Sequence, residues 1–193
     1  PQTYYINSDN YNFGYLGNGT KIWSYTRMGT AKSTNEYIGP FVNRDGDPDY
    51  LITGEGRVVF MDGGLSYYEY HIKDHLGNVR VAFKNNNSSP EVLQTSDYYP
   101  FGLHMSESYD NSSLYSRNRY LYNGKELVPD VNLNWYDYGA RMYDPKIGRF
   151  TTIDKIASEF PYWTPYSYAA NSPILNKDLD GLEPVSSMYY YAN

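Results

Sequence analysis

The sequence has 193 residues, among them 25 Tyr, 7 Phe and 3 Trp, no Cys, and a formal charge of −6. Without Cys there is no disulfide framework, no thiol nucleophile and no thiolate metal site. An acidic balance with no Lys/Arg cluster argues against nucleic-acid binding, and no apolar run approaches the ~18 residues of a membrane span.

Tyr suits a half-buried pleated surface, because its ring packs on one side while its hydroxyl reaches water or the backbone. With 16 Gly, 11 Pro and many Asn, Asp and Ser as turn residues, the composition predicts an all-β chain, β-rich with short helical turns. The chain opens at Pro1 with neither a Met nor a signal-like segment, and it reads as a piece of something longer.

In chain order, three stretches share a turn feeding an alternating strand: "GNGTKIWSY" from Gly17, "GEGRVVF" from Gly54 and "LGNVRVAF" from Leu76. Apart from the first of these, the opening fifty residues read as less regular, and "NRDGDPDY" at 43–50 reads as an acidic, solvated turn. Residues 51–83 predict a three-stranded meander, since "DGG" and "HLGN" bracket the alternating "LSYYEYHI". The polar "KNNNSSPE" at 84–91 predicts a loop before one more short strand, and Pro100 and Gly102 force a bend within "DYYPFGLHM". From Tyr120 the aromatics recur between the turns "NG", "YGA" and "DPKIG", which predicts strands of about four to six residues. Beyond Asp154, Pro161, Pro165 and Pro173 leave room for a helical turn at 155–160 and then irregular chain.

Five stretches occur in a recognisable order: "KDHLGNVRVAF", "DYYPFGLHM", "YLYNGKEL", "WYDYGARMYDPKIGRF" and "TPYSYAANSPILNKDLDG". Together they resemble the RHS-repeat-associated core domain in its Bacteroidota-like form. The resemblance covers 67–182, with degenerate YD-like hairpins at 1–66 and the start of a variable C-terminal region at 183–193. It implies a spiralling strip of β-hairpins that forms a hollow shell and ends in an inward-curling core or plug. The implied partners are the rest of the shell, its C-terminal toxin or effector cargo, and an immunity protein or secretion apparatus. A secreted or cell-surface parent follows from the same resemblance, and no cofactor does.

Several members of that family cut themselves free of their cargo with two aspartates, just after a D-P-x-G-L motif. Here Asp178, Leu179, Asp180, Gly181 and Leu182 fill those five places, with Leu179 where the pattern has Pro. The matching upstream aspartate is Asp154, followed by Lys155 where Pro is usual. The resemblance therefore implies a cut between Leu182 and Glu183, with Asp154 and Asp178 as acid and base. Arg149 in "GRF" is the candidate to hold a carboxylate or the scissile carbonyl, or else to pair structurally with Asp144.

Other chemistries fit less well. Asn176, Asp178, Asp180 and Gly181 match the first half of an EF-hand loop, but its twelfth position is Ser187 instead of Glu. His71 and His75 flank a hairpin turn and lack the helical spacing of a zinc motif. Aromatics from Tyr120 to Tyr143 leave a surface adhesin or glycan-binding module as the alternative reading, set against cross-strand packing of the same rings.

Overall fold

The computed structural model describes residues 2–6, 9–17, 19–61, 64–105, 117–129, 133–182 and 184–186. Ten strands form one sheet in sequence order: β1 (Gln2–Ile6), β2 (Asp9–Tyr15), β3 (Lys21–Met28), β4 (Ala31–Ile38), β5 (Phe41–Arg44), β6 (Asp47–Ile52), β7 (Gly56–Met61), β8 (Gly64–Lys73), β9 (Val79–Asn86) and β10 (Ser89–Thr95). Each neighbouring pair is antiparallel, so this sheet is a continuous meander.

The meander expected at 51–83 is present as β7 to β9. The sheet extends further to either side than that expectation. Residues 2–52 form six further strands of the same sheet. The acidic stretch at 43–50 is a tight hairpin in which Arg44 pairs with Asp47, and Asp45 and Gly46 both take positive φ (54° and 94°). Two left-handed central residues give the type I′ turn that matches strand twist. The expected loop at 84–91 closes in the same way on Asn87 and Ser88 (φ 49° and 69°), leaving Pro90 on β10, where an edge strand tolerates a missing donor. The expected boundary between residues 66 and 67 lies inside β8.

The strands of the aromatic stretch from Tyr120 are shorter than expected, and a strand pair forms near the end where irregular chain was expected. β11 (Glu126–Val128), β12 (Trp135–Asp137), β13 (Met142–Asp144) and β14 (Arg149–Phe150) make a second meander, while β15 (Asn176–Asp178) pairs with β16 (Pro184–Ser186). Among the described residues the helical pieces are three-residue 3₁₀ turns, one of them Ala157–Glu159 within the stretch expected to be helical. No helix there is long and apolar enough to cross a membrane.

Two apolar clusters hold the parts together. Tyr11 and Phe13 of β2 pack with Val128, Leu133 and Met142, which joins the large sheet to the small one. The second cluster is mostly tyrosine: Tyr122, Tyr136, Tyr138, Tyr143 and Tyr168 bury with Leu121, Phe150 and Ala169. Burying so many phenols is eased where hydroxyls find partners, as four of these five do and Tyr136 does not. Tyr122 Oη donates to Pro100 O at 2.8 Å, Tyr143 Oη to Phe101 O at 2.7 Å and Tyr138 Oη to Asn123 Oδ1 at 2.9 Å. Of the aromatic ladder expected from Tyr120 to Tyr143, Tyr122, Tyr136, Tyr138 and Tyr143 are core, while Tyr120 and Trp135 are half-buried.

Candidate functional site

Asp178 ends β15 and is 2% exposed. Its Oδ1 accepts from Gly181 N at 2.6 Å and Asp180 N at 3.2 Å, so the carboxylate folds the "DLDG" turn over itself. Such side-chain to backbone bonds are what Asp supplies in turns. Gly181 sits at φ 86°, and a Cβ there would lie 3.1 Å from Arg141 N and 3.2 Å from Tyr138 Cβ. Glycine is needed for the backbone to pass this close.

Asp154 follows β14, caps the next turn through Ile156 N at 2.9 Å, and anchors its own N–H on Pro165 O at 3.0 Å. Arg141 links the two aspartates across the intervening chain. Its Nη2 lies 2.7 Å from Asp154 Oδ2 and 3.9 Å from Asp178 Oδ2. Its Nε donates to Gly181 O and its Nη1 to Pro165 O at 3.1 Å, while the guanidinium lies 3.8 Å above the Phe150 ring. Both aspartates thus meet one guanidinium, which also grips the turn that leads to Leu182.

Arg149, the arginine expected at this site, is placed elsewhere. Its Nη1 donates to Asn171 Oδ1 at 2.8 Å on the surface, and its register partner across the hairpin is Asp144. Strand alternation gives the reason. Tyr143 and Phe150 pair in the core, so Arg149, next to Phe150, faces away, whereas Arg141 shares the phase of Tyr143. The signal for Arg141 is its spacing of two from a core tyrosine in "ARMY".

A cavity of about 20 Å³ is lined by Asp154, Asp178, Phe160, Trp163, Pro165 and Leu182 among others. That is room for about one water molecule with polar partners. Phe160 and Trp163 stack at 5.3 Å to form one wall. Burial pushes Asp178 up to about 6, against the opposing pull of the Gly181 N–H and Arg141, so its neutral form persists far above the usual carboxylate range. Leu182 is half-buried at the cavity, and Glu183 lies outside the described residues.

The histidines sit apart from this site. His71 Nε2 is 2.7 Å from Glu69 Oε1, in a buried group with Arg57, and His75 Nε2 is 3.2 Å from Ile174 O.

No family model matches the chain. Salivary gland surface protein 1 of Aedes aegypti is 35% identical over 115 residues, which is 60% of this chain and 3% of that protein. Among solved structures, TcdB2-TccC3 aligns with 91% of this chain and 9% of its own at TM-score 0.73 and 21% identity. The TcdB2-TccC3-Cdc42 structure aligns over the same shares at TM-score 0.73 and 20% identity. TcdB2-TccC3 without its hypervariable C-terminal region gives TM-score 0.71 and 19% identity over 92% of this chain. The chain thus spans under a tenth of the proteins it matches, and what the likeness shows is an RHS-like β fold.

Proposed function

We propose that this chain is the closing core of an RHS-type β shell, that it marks the border with a C-terminal toxin or effector, and that it cuts itself after Leu182. The first part is supported by the likeness of fold to TcdB2-TccC3 and by the five ordered motifs from Lys73 to Gly181. In this reading the partners are the remaining shell, the cargo, and an immunity protein or secretion apparatus, and the parent protein is secreted or on the cell surface.

One observation carries the cleavage step: Asp154 and Asp178 meet at Arg141 beside a one-water cavity that touches Leu182. Asp154 takes a proton from water in the cavity as that water attacks the Leu182 carbonyl carbon. Asp178, in its neutral form, gives its proton to the departing Glu183 nitrogen, and two carboxyls thereby divide acid and base roles. Arg141 positions the turn through Gly181 O and holds Asp154.

The test is a chain extended beyond Asn193 by a folded reporter domain. Cleavage predicts two fragments with a new terminus at Glu183, and Asp178→Asn and Asp154→Asn should each leave the fusion whole. An uncut wild-type fusion would remove the cleavage step and leave the shell role to be judged on whether the longer parent encloses its cargo.

A further inference from the structure

Another group of buried ionisable side chains lies where the two sheets meet. Lys21 Nζ, at the start of β3, is 2.9 Å from Asp137 Oδ2 on β12 and 3.0 Å from Glu126 Oε2 on β11. The three side chains are 11%, 6% and 7% exposed. Tyr15 Oη donates to the other Asp137 oxygen at 2.6 Å, Gly139 N donates to that oxygen at 2.9 Å, and Tyr37 Oη donates to Glu126 Oε1 at 2.9 Å. Tyr rings wall the ammonium, 4.8 Å from the Tyr37 centroid and 5.8 Å from that of Tyr11.

One carboxylate would neutralise Lys21, and a second buried charge is costly. The geometry gives that second carboxylate something to do. The Lys21 nitrogen lies 2.9 Å from an Asp137 carboxyl oxygen, which gives the amine and the carboxyl group the proximity that an attack on Cγ requires. A hydroxyl and a backbone N–H on the far oxygen polarise the carbonyl, and a neighbouring glutamate on the same nitrogen can carry protons.

We propose that Lys21 and Asp137 become joined by an isopeptide bond that the folded chain makes itself, with Glu126 as the proton carrier. Glu126 takes a proton from the ammonium, and the free Nζ attacks Asp137 Cγ. The new nitrogen loses a second proton, Cγ–Oδ2 breaks, and Oδ2 leaves as water carrying both protons. Lysine ammonium and aspartate carboxylate become an amide and one water, with no oxidant or reductant. Beside the group lies a cavity of about 790 Å³ lined by Lys21, Glu126 and Asp137, through which that water can leave.

The carboxylates hold Lys21 above its ordinary range despite burial, and Lys21 holds Asp137 below its own. The ion pair is therefore the resting state, and the bond forms slowly through a minor state with the proton moved. Once formed, it fastens the ten-stranded sheet covalently to the small sheet, whose β12–β13 turn carries Arg141.

Intact mass spectrometry of the full chain tests this. The expected mass is one water below that of the sequence, with the loss mapped to a branched peptide joining Lys21 and Asp137, and warm incubation converts any remaining heavier fraction. Glu126→Gln should slow conversion at least tenfold, and Lys21→Arg, which keeps the charge, should abolish it. A wild-type chain that keeps its full sequence mass after prolonged warm incubation overturns the proposal. So does a water loss that maps to an Asp-Gly step such as Asp180–Gly181, where a succinimide would give the same mass.

Discussion

At the residue scale, Asp178 has two duties that pH can separate. Its oxygen folds the turn by accepting from Gly181 N and Asp180 N, which an Asn side chain can also do. Its proton is the other matter. The folded chain holds that proton up to about 6, against an ordinary 3.8, so between these values the folded state binds more protons than the unfolded one. Stability from this group is therefore greatest at low pH, falls as pH rises through that window and is lost above about 6, at up to ~1.4 kcal/mol for each pH step of one. Asp178→Asn should remove this fall, so urea midpoints measured across the window should drop less steeply in the variant than in the wild type. Parallel curves would show that the carboxyl does not titrate there. Both aspartates are legible in the sequence because the motif is contiguous around each. Arg141 is not, since nearness to "GRF" favours Arg149, whereas the strand phase set by Tyr143 decides which arginine points inward.

At the element scale, the legible parts are those whose turns announce themselves. "DGG" and "HLGN" bracket β8, and the strands there follow from alternation alone. The β3–β4 and β4–β5 hairpins turn on Gly29-Thr30 and Gly39-Pro40, with Gly at φ 60° in each. A glycine leading a two-residue turn suits type II′, yet in sequence it resembles any loop glycine. Gly102 is different, because both its backbone and its surroundings exclude a side chain. It sits at φ 84°, and a Cβ would lie 2.5 Å from the Tyr122 ring, which is buried in the tyrosine cluster. Gly29 also has positive φ, but a methyl there would meet nothing within 4 Å. Gly29→Ala should therefore cost only the backbone term of about 1 kcal/mol. Gly102→Ala should cost several times that, since Tyr122 must move and its hydroxyl bond to Pro100 O is lost. Denaturant midpoints of the two variants decide the matter, and equal losses would mean that the Tyr122 ring yields without strain.

For the whole molecule, the question is whether the core stands apart from the hairpins before it. The motifs place a division between residues 66 and 67, yet the large sheet runs from Gln2 to Thr95 and crosses that point within β8. The cover for Val128, Leu133 and Met142 comes from Tyr11 and Phe13, more than a hundred residues earlier in the chain. Contacts of that span leave no trace in a linear motif, because they depend on how the strip curls back on its own end. Their energetic weight is large: Phe13 is 1% exposed, and truncating a buried Phe to Ala typically costs about 3–5 kcal/mol, a large fraction of a domain's stability. A chain beginning at Tyr67 would lose both rings, the Lys21 partner of Glu126 and Asp137, and seven strands of the sheet. Glu126 and Asp137 would lose their cation together with Tyr15 and Tyr37, which bond and cover them, so the seam between the sheets would open to water. Such a chain should show no cooperative thermal transition and no near-ultraviolet signal from ordered tyrosines, while Phe13→Ala in the full chain should keep the signal at a lowered midpoint. If the shorter chain unfolds cooperatively, the tyrosine cluster around Tyr143 and Tyr168 is sufficient on its own, and the site at Arg141 is independent of the strip.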